Sequence, residues 1–273
     1  MRQNYKNKMH EETFSIFGTN ANGLLGKLDS LKSNISFFKN PTCINIQETK
    51  LRFHGQVKLD GYQIFESVRT GMGGGLLTAV SQDIEPVLIS TGNENIEMIV
   101  VQGRIGKYNI RMFNCYGPQE VNQSQRPKAE QEEIVTSFWI ELEKEIIKAK
   151  DDDVLVVVQM DANAKVGKDY IKDDPNYKSD NGRLLLGLVE RQNLRILNSS
   201  NQCLGVVTRD RIAGDNHEKS VIDYIITCDT LADFLDEMII DDDRLHVLTK
   251  YASKKKVESD HNVMVGKFSL KYT

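Results

Sequence analysis

Five apolar runs in this sequence each carry, at one end, a polar side chain that folding alone does not require. Residues 13–17 lead to Asn20, 43–46 to Glu48, 109–115 to Tyr116, and 154–158 to Asp161 and Asn163. The closing run, 263–265, is entered through Ser259-Asp260-His261. Neighbours on a strand point to opposite faces, so Asp260 and His261 serve one centre only from a turn. Asp223 differs, because it lies inside the apolar stretch Val221-Ile222-Asp223-Tyr224-Ile225-Ile226. A lone buried carboxylate is costly, so Asp223 needs a partner, a histidine or a hydroxyl.

The chemistry open to such a set is narrow. No cysteine or histidine cluster has the spacing of a zinc site. Acidic oxygens with amide support suit Mg²⁺, with Mn²⁺ as a substitute, because these ions keep several waters and take one or two carboxylates plus a substrate phosphate. A site of this kind hydrolyses phosphate esters: the metal polarises the phosphoryl oxygen, a base orients water, and donors stabilise the added negative charge. Taken singly, each residue has a plainer reading. Asp161 and Asn163 could form an Asx turn, and Asn22 beside Gly23 could take a left-handed turn conformation.

The elements that must position these groups are short strands bracketing longer helices. Leu24, Leu28, Leu31, Ile35 and Phe38 recur at helical spacing, and Pro41 closes that helix. Strands are expected at 62–65, 76–80, 86–90, 96–101 and 109–115, in the quick succession of an antiparallel sheet. Ile134, Phe138, Leu142, Ile146 and Ile147 form the stripe of a second helix, and 154–158 is the most apolar strand. A short helix around Leu184–Val189 precedes a strand near 194–197; two strands, 204–208 and 221–227, flank a charged loop. Gly73-Gly74-Gly75 reads as a bend entering a strand, since no helix and lysine follow it. The resulting fold class is α+β: two mostly antiparallel sheets packed face to face with helices outside, a four-layer α/β/β/α sandwich. Residues 1–12 read as a flexible lead-in and 13–273 as one domain.

Of 273 residues, 40% are apolar and 27% charged, enough for a sizeable core. No apolar run approaches the roughly 18 residues that span a bilayer, and the N-terminus has no signal-peptide core. The four cysteines show no paired spacing; Cys43 and Cys115 sit in strand-like runs as small core groups, which fits a reducing intracellular compartment. The net charge of −4 argues against a surface covered in phosphate-binding groups but allows a local basic rim.

Six segments now stand in a recognisable order: Asn20-Ala21-Asn22-Gly23, Gln47-Glu48-Thr49, Asn114-Cys115-Tyr116-Gly117-Pro118, Met160-Asp161-Ala162-Asn163, Ser220-Val221-Ile222-Asp223-Tyr224 and Ser259-Asp260-His261. This order resembles the endonuclease/exonuclease/phosphatase superfamily over residues 13–268. Within it, the chain is similar to apurinic/apyrimidinic-type endonucleases, and to the endonuclease domains of LINE-type non-LTR retrotransposons through Asn181-Gly182-Arg183 and Leu194-Arg195-Ile196-Leu197-Asn198. It departs from the pattern at Thr19, where a large apolar residue is common, and at Met160, where glycine is frequent.

The resemblance implies roles. Glu48 would bind Mg²⁺ with Asn20 and Asp260; Asp161 would orient or deprotonate the attacking water. Asn163 and Tyr116 would hold the scissile phosphate, and His261 would contact it in the transition state with Asp223 fixing the ring. Gln47 and Thr208 would buttress the cleft wall. Arg209 and Arg211, with Lys254, Lys255 and Lys256, would grip flanking phosphates of double-stranded DNA. The implied activity is a Mg²⁺-dependent nick that leaves a 3′-hydroxyl to prime reverse transcription. The implied setting is the nucleus, with the natural protein able to continue into a reverse transcriptase and no obligate protein partner or membrane. The same site would also serve a phosphatase or an RNA or 3′-exonuclease, and an inactive interaction domain is a further alternative.

Overall fold

A computed structural model describes residues 10–69, 73–93, 95–121, 124, 126–213, 215–253 and 255–272. In chain order the strands are β1 (His10–Asn20), β2 (Cys43–Gln47), β3 (Tyr62–Ser67), β4 (Leu76–Ser81), β5 (Val87–Thr91), β6 (Glu97–Ile105), β7 (Tyr108–Tyr116) and β8 (Leu155–Asp161). There follow β9 (Leu194–Ile196), β10 (Cys203–Leu204), β11 (Arg209–Ala213), β12 (Asn216–Ser220), β13 (Asp223–Cys228), β14 (Leu235–Ile240), β15 (Thr249–Ala252), β16 (Lys255–Glu258) and β17 (Met264–Tyr272). The helices are α1 (Leu28–Phe37), α2 (Lys128–Asp151), α3 (Asp180–Arg191) and the single turn α4 (Asp229–Ala232).

Two large sheets result, in the orders β10-β14-β17-β1-β2-β4-β3 and β5-β6-β7-β8-β13-β9. Both are mostly antiparallel; the parallel pairs are β1/β2, β10/β14 and β7/β8. Strand alternation divides the core into three layers. Ile16 and Val157 point between the sheets, whereas Phe17 faces α1 and Val156 and Val158 face α2 and α3. Phe14, Met112, Ile225 and Phe268 fill the middle layer. The four-layer α/β/β/α sandwich is therefore present. No helix among the described residues is long and apolar enough to cross a membrane.

Several expectations need correction. The first strand begins at His10, so residues 10–12 are paired with β17 and are not part of a lead-in. Residues 1–9 of that expected segment lie outside the described residues. The charged loop 209–219 is a hairpin, β11 on β12, and the lysine-rich loop before Ser259 is another, β15 on β16. Their strands mix polar residues with exposed apolar ones such as Ile212 and Tyr251, so they carry no period-2 apolar signal. Strand 204–208 shrinks to β10. On α2 the buried stripe is Val135, Phe138, Trp139, Leu142 and Ile146, while Ile147 is exposed.

Near the cleft the layer between the sheets becomes polar. Gln47 Nε2 donates to Asn114 Oδ1 at 2.7 Å, and Asn114 Nδ2 donates to Leu77 O at 2.9 Å and Thr78 Oγ1 at 3.1 Å. Thr78 Oγ1 in turn donates to Asn45 Oδ1 at 3.0 Å. These groups are buried and mutually satisfied, which fixes the two sheets in register where apolar packing alone would permit sliding.

Candidate active site

Sheet register assembles the site from rows. On the six-stranded sheet, Tyr116 is the Cα partner of Asp161 across β7/β8, and Asp161 is the partner of Asp223 across β8/β13. Three candidate side chains thus lie side by side. On the facing sheet, Asn20 pairs with Gln47, and Glu48 follows at once with φ 45°. His261 is delivered by the turn after β16, which closes on Arg209 through an isolated antiparallel bridge. Ser259 Oγ donates to Asn20 O at 2.6 Å and accepts from His261 N at 3.2 Å, so Ser259 ties that turn to the first sheet.

The centre of the site is a buried trio. His261 Nδ1 lies 2.9 and 3.0 Å from the two oxygens of Asp223, which makes Nδ1 the protonated nitrogen. His261 Nε2 lies 3.7 Å from Asp161 Oδ2. Burial alone would lower the His261 pKa, but the charges of Asp223 and Asp161 outweigh it and push it up to about 9. Burial, and then the facing Asp223 carboxylate, raises Asp161 to about 7. At neutral pH His261 therefore carries a proton, and Asp161 stands near the point of gaining or losing one. Asp161, Asp223 and His261 are close enough to hold an ion. Their inward atoms already have partners, however, with Asn20 Nδ2 donating to Asp161 Oδ2 at 2.9 Å and Asp223 engaged on the ring.

Glu48 forms the other half. Its Oε1 accepts from Tyr116 OH at 2.5 Å, and Lys50 Nζ lies 3.1 Å from Oε2. Burial would raise the Glu48 pKa, yet the Tyr116 hydrogen bond and the Lys50 charge bring it below the usual carboxylate range. Glu48 is thus held as an anion between the Tyr116 hydroxyl and the Lys50 ammonium, and its carboxylate oxygens are of the ligand type that Mg²⁺ or Mn²⁺ takes. Asp260 lies in the same cleft, but its Oδ2 accepts from Arg209 Nε at 2.9 Å. Burial raises its pKa; His261 and Arg209 more than reverse this, so it too is ionised.

One cleft of ≈ 530 Å³ is lined by Asn20, Glu48, Tyr116, Asp161, Asn163, Arg209, Arg211, Asp260 and His261, with Asp223 behind the histidine. Asn163 Nδ2 donates to Gly117 O at 2.8 Å, and Gly117 N donates to Asp161 O at 2.7 Å, zipping the two strand-end loops together. The hydroxyl of Thr208 accepts from Asp223 N at 3.1 Å and from Ile222 N at 3.0 Å, a buttress of the kind expected. Lys255 and Lys256 lie on β16 outside the cleft lining, with Lys256 beside Glu258; Lys254 lies outside the described residues. Sequence reasoning passed over Lys50, Gln119 and Glu218, which line the cleft, and Arg244. Arg244 donates to Ser259 O at 2.6 Å and to Asn262 Oδ1 at 2.9 Å. Lys50 follows Glu48 by two residues, and that spacing was the only signal available.

No protein-family model matches the sequence, and no curated protein does. Solved structures match closely in fold. The endonuclease domain of TRAS1, a telomere-specific non-LTR retrotransposon, superposes with a TM-score of 0.63 at 21% identity, covering 93% of this chain and 98% of that one. An AP endonuclease from Leishmania major gives 0.71 at 15% identity, covering 95% and 88%. A 3′ phosphatase from Neisseria bound to a product DNA hairpin gives 0.65 at 16%, covering 93% and 99%.

Proposed function

We propose that this chain, which has the fold of the endonuclease/exonuclease/phosphatase superfamily, is a divalent-metal-dependent DNA endonuclease. The observation that carries the reading is the convergence, in one cleft, of the Asp161–His261–Asp223 trio with the anionic Glu48. Mg²⁺ is the proposed ion and Glu48 its holder, with Asn20 and Asp260 beside it. When bound, the ion supplies Lewis-acid neutralisation of the phosphate's added charge. Mn²⁺ would substitute.

The protein's own groups account for the rest. Asp161, oriented by the Asn20 amide, accepts a proton from water as the water oxygen attacks phosphorus. The His261 imidazolium, held by Asp223, donates to a non-bridging phosphate oxygen as that oxygen gains charge. Tyr116 and the second N–H of Asn163 position the phosphate. The P–O3′ bond breaks, and the departing oxygen takes a proton from solvent water, leaving a 3′-hydroxyl and a 5′-phosphate. Arg209 and Arg211 border the cleft where flanking phosphates would pass, and Lys254, Lys255 and Lys256 are proposed as an outer contact with duplex DNA.

The likeness to a retrotransposon endonuclease domain supports a biological role for the nick. The 3′-hydroxyl would prime reverse transcription in the nucleus, and the chain from His10 onward would be one domain of a protein that can continue into a reverse transcriptase. Supercoiled plasmid tests the activity. Wild-type protein with Mg²⁺ is expected to convert it to open circles, whereas Asp161→Asn and His261→Ala slow this by about 10²–10⁴-fold. Plasmid left intact while small phosphate esters are hydrolysed would overturn the endonuclease reading. Loss of nucleotides from 3′ ends in place of internal nicks would convert it to an exonuclease.

A further inference from the structure

Glu48 does not face the cleft alone. The Lys50 ammonium is 3.1 Å from Glu48 Oε2 and donates to Asn22 Oδ1 at 2.5 Å. The residue is set for this on both sides. Its backbone is left-handed with φ 51°, its N–H donates to Gly74 O at 3.0 Å, and the preceding Thr49 accepts from Leu24 N at 2.9 Å. A side chain on Gly23 would meet the Lys50 stem at 3.9 Å, so the stem lies along the Asn20–Gly23 turn. A second lysine, Lys27, is buried under that turn, but its hydrogen bonds go to the carbonyls of Ala21 and Asn22. Lys50 is the ammonium that reaches the carboxylate. Tyr116 already holds Oε1, so Lys50 stands at the oxygen a divalent ion would use.

We propose that Lys50 is a positioning residue that shares Glu48 with the divalent ion and ties it to Asn22, orienting the carboxylate and setting how tightly the ion is held. The proposal rests on the reading that Glu48 carries the metal. The physical reason is a balance of two effects. A unit positive charge a few ångströms from the ion repels it, which weakens binding. The same charge holds the carboxylate in one geometry, which would otherwise have to be imposed at the moment of binding. The Lys50 side chain is 38% exposed, so screening limits the repulsion, and the expected change in affinity is about three- to tenfold.

Mn²⁺ titration of the intact chain, followed by calorimetry and by the loss of the free-ion paramagnetic resonance signal, tests this without requiring turnover. Lys50→Gln is expected to bind Mn²⁺ about three- to tenfold more tightly than wild type, Lys50→Arg to stay within about twofold, and Glu48→Gln to lose the site. Lys50→Gln should also nick plasmid about tenfold more slowly at saturating metal, because Glu48 and Asn22 lose their common partner. Far-UV circular dichroism and melting confirm that each variant folds. Unchanged or weaker Mn²⁺ binding in Lys50→Gln, with binding abolished in Glu48→Gln, overturns the role of Lys50 and leaves the metal reading intact. Wild-type binding in Glu48→Gln overturns both.

Discussion

At the scale of single residues, the site depends on charges that burial makes expensive and neighbours make tolerable. Asp161 and Asp223 are opposed in register, and His261 between them is protonated as a consequence. The His261 pKa is raised from its ordinary 6.5 to about 9, so in the metal-free protein its contribution to stability is fully present below 6.5 and is lost as pH rises through 9. Urea midpoints for wild type should therefore fall between pH 6.5 and 9, and Asp223→Asn should flatten that fall. An equally steep decline in Asp223→Asn would remove His261 as its source. The Tyr116 hydroxyl makes a second testable contact. Tyr116→Phe removes the hydrogen bond that most lowers the Glu48 pKa. The acid limb of the pH–rate profile should then move to higher pH, with kcat/KM down about tenfold.

Elements position these residues through strand ends whose loops interlock. Gly117 shows how tightly. A Cβ there would stand 2.4 Å from Ala162 O, in the backbone between Asp161 and Asn163. Gly117→Ala should push the β7 and β8 loops apart. We expect plasmid nicking to fall at least tenfold, against a stability loss of about 1–3 kcal/mol measured by denaturant titration. The polar ladder between the sheets is the matching device one layer deeper. Asn114→Leu strands the Gln47 amide in a buried layer, takes away the donor that Thr78 Oγ1 accepts from, and should cost about 2–4 kcal/mol. A cost below about 0.5 kcal/mol would mean that apolar packing alone sets the register. Left-handed backbone at Asn22, Glu48, Lys50 and Asn163 places four constrained residues at the same rim.

For the whole molecule, the proposed function asks how a chain of net charge −4 would grip a polyanion. Two hairpins supply the answer under the proposed function. β11–β12 begins at Arg209 and carries Arg211 into the cleft lining, while β15–β16 carries lysines beside the turn that delivers His261. Each hairpin is closed at its base by a site residue: Thr208 N donates to Ser220 O, and Ser259 N to Leu248 O. Arg211→Ala should lower the slope of log affinity against log salt by about 0.9, the share of one phosphate contact. Replacing Lys254, Lys255 and Lys256 with alanine should lower it by less than three such contacts, because Lys256 is paired with Glu258. An unchanged slope would remove that hairpin from the DNA interface.

Much of this was readable from residues alone. The apolar runs, their polar ends and the demand that Asp223 find a partner follow from local rules: strand periodicity, and the cost of burying an unpaired carboxylate. The two hairpins were not readable, because strands solvated on both faces have no apolar period. Lys50 and Arg244 were not readable either, since a lysine or arginine in a loop is ordinary until something stands opposite it. The sequence by itself determined which groups exist and that they sit at strand ends. Only the tertiary structure decided their company: Asp260 turned to Arg209, Asn20 between Asp161 and the turn of Asn22, and an ammonium on Glu48. The longest of those pairings joins residues 141 positions apart, Asn20 and Asp161, and it arises from the packing of two sheets.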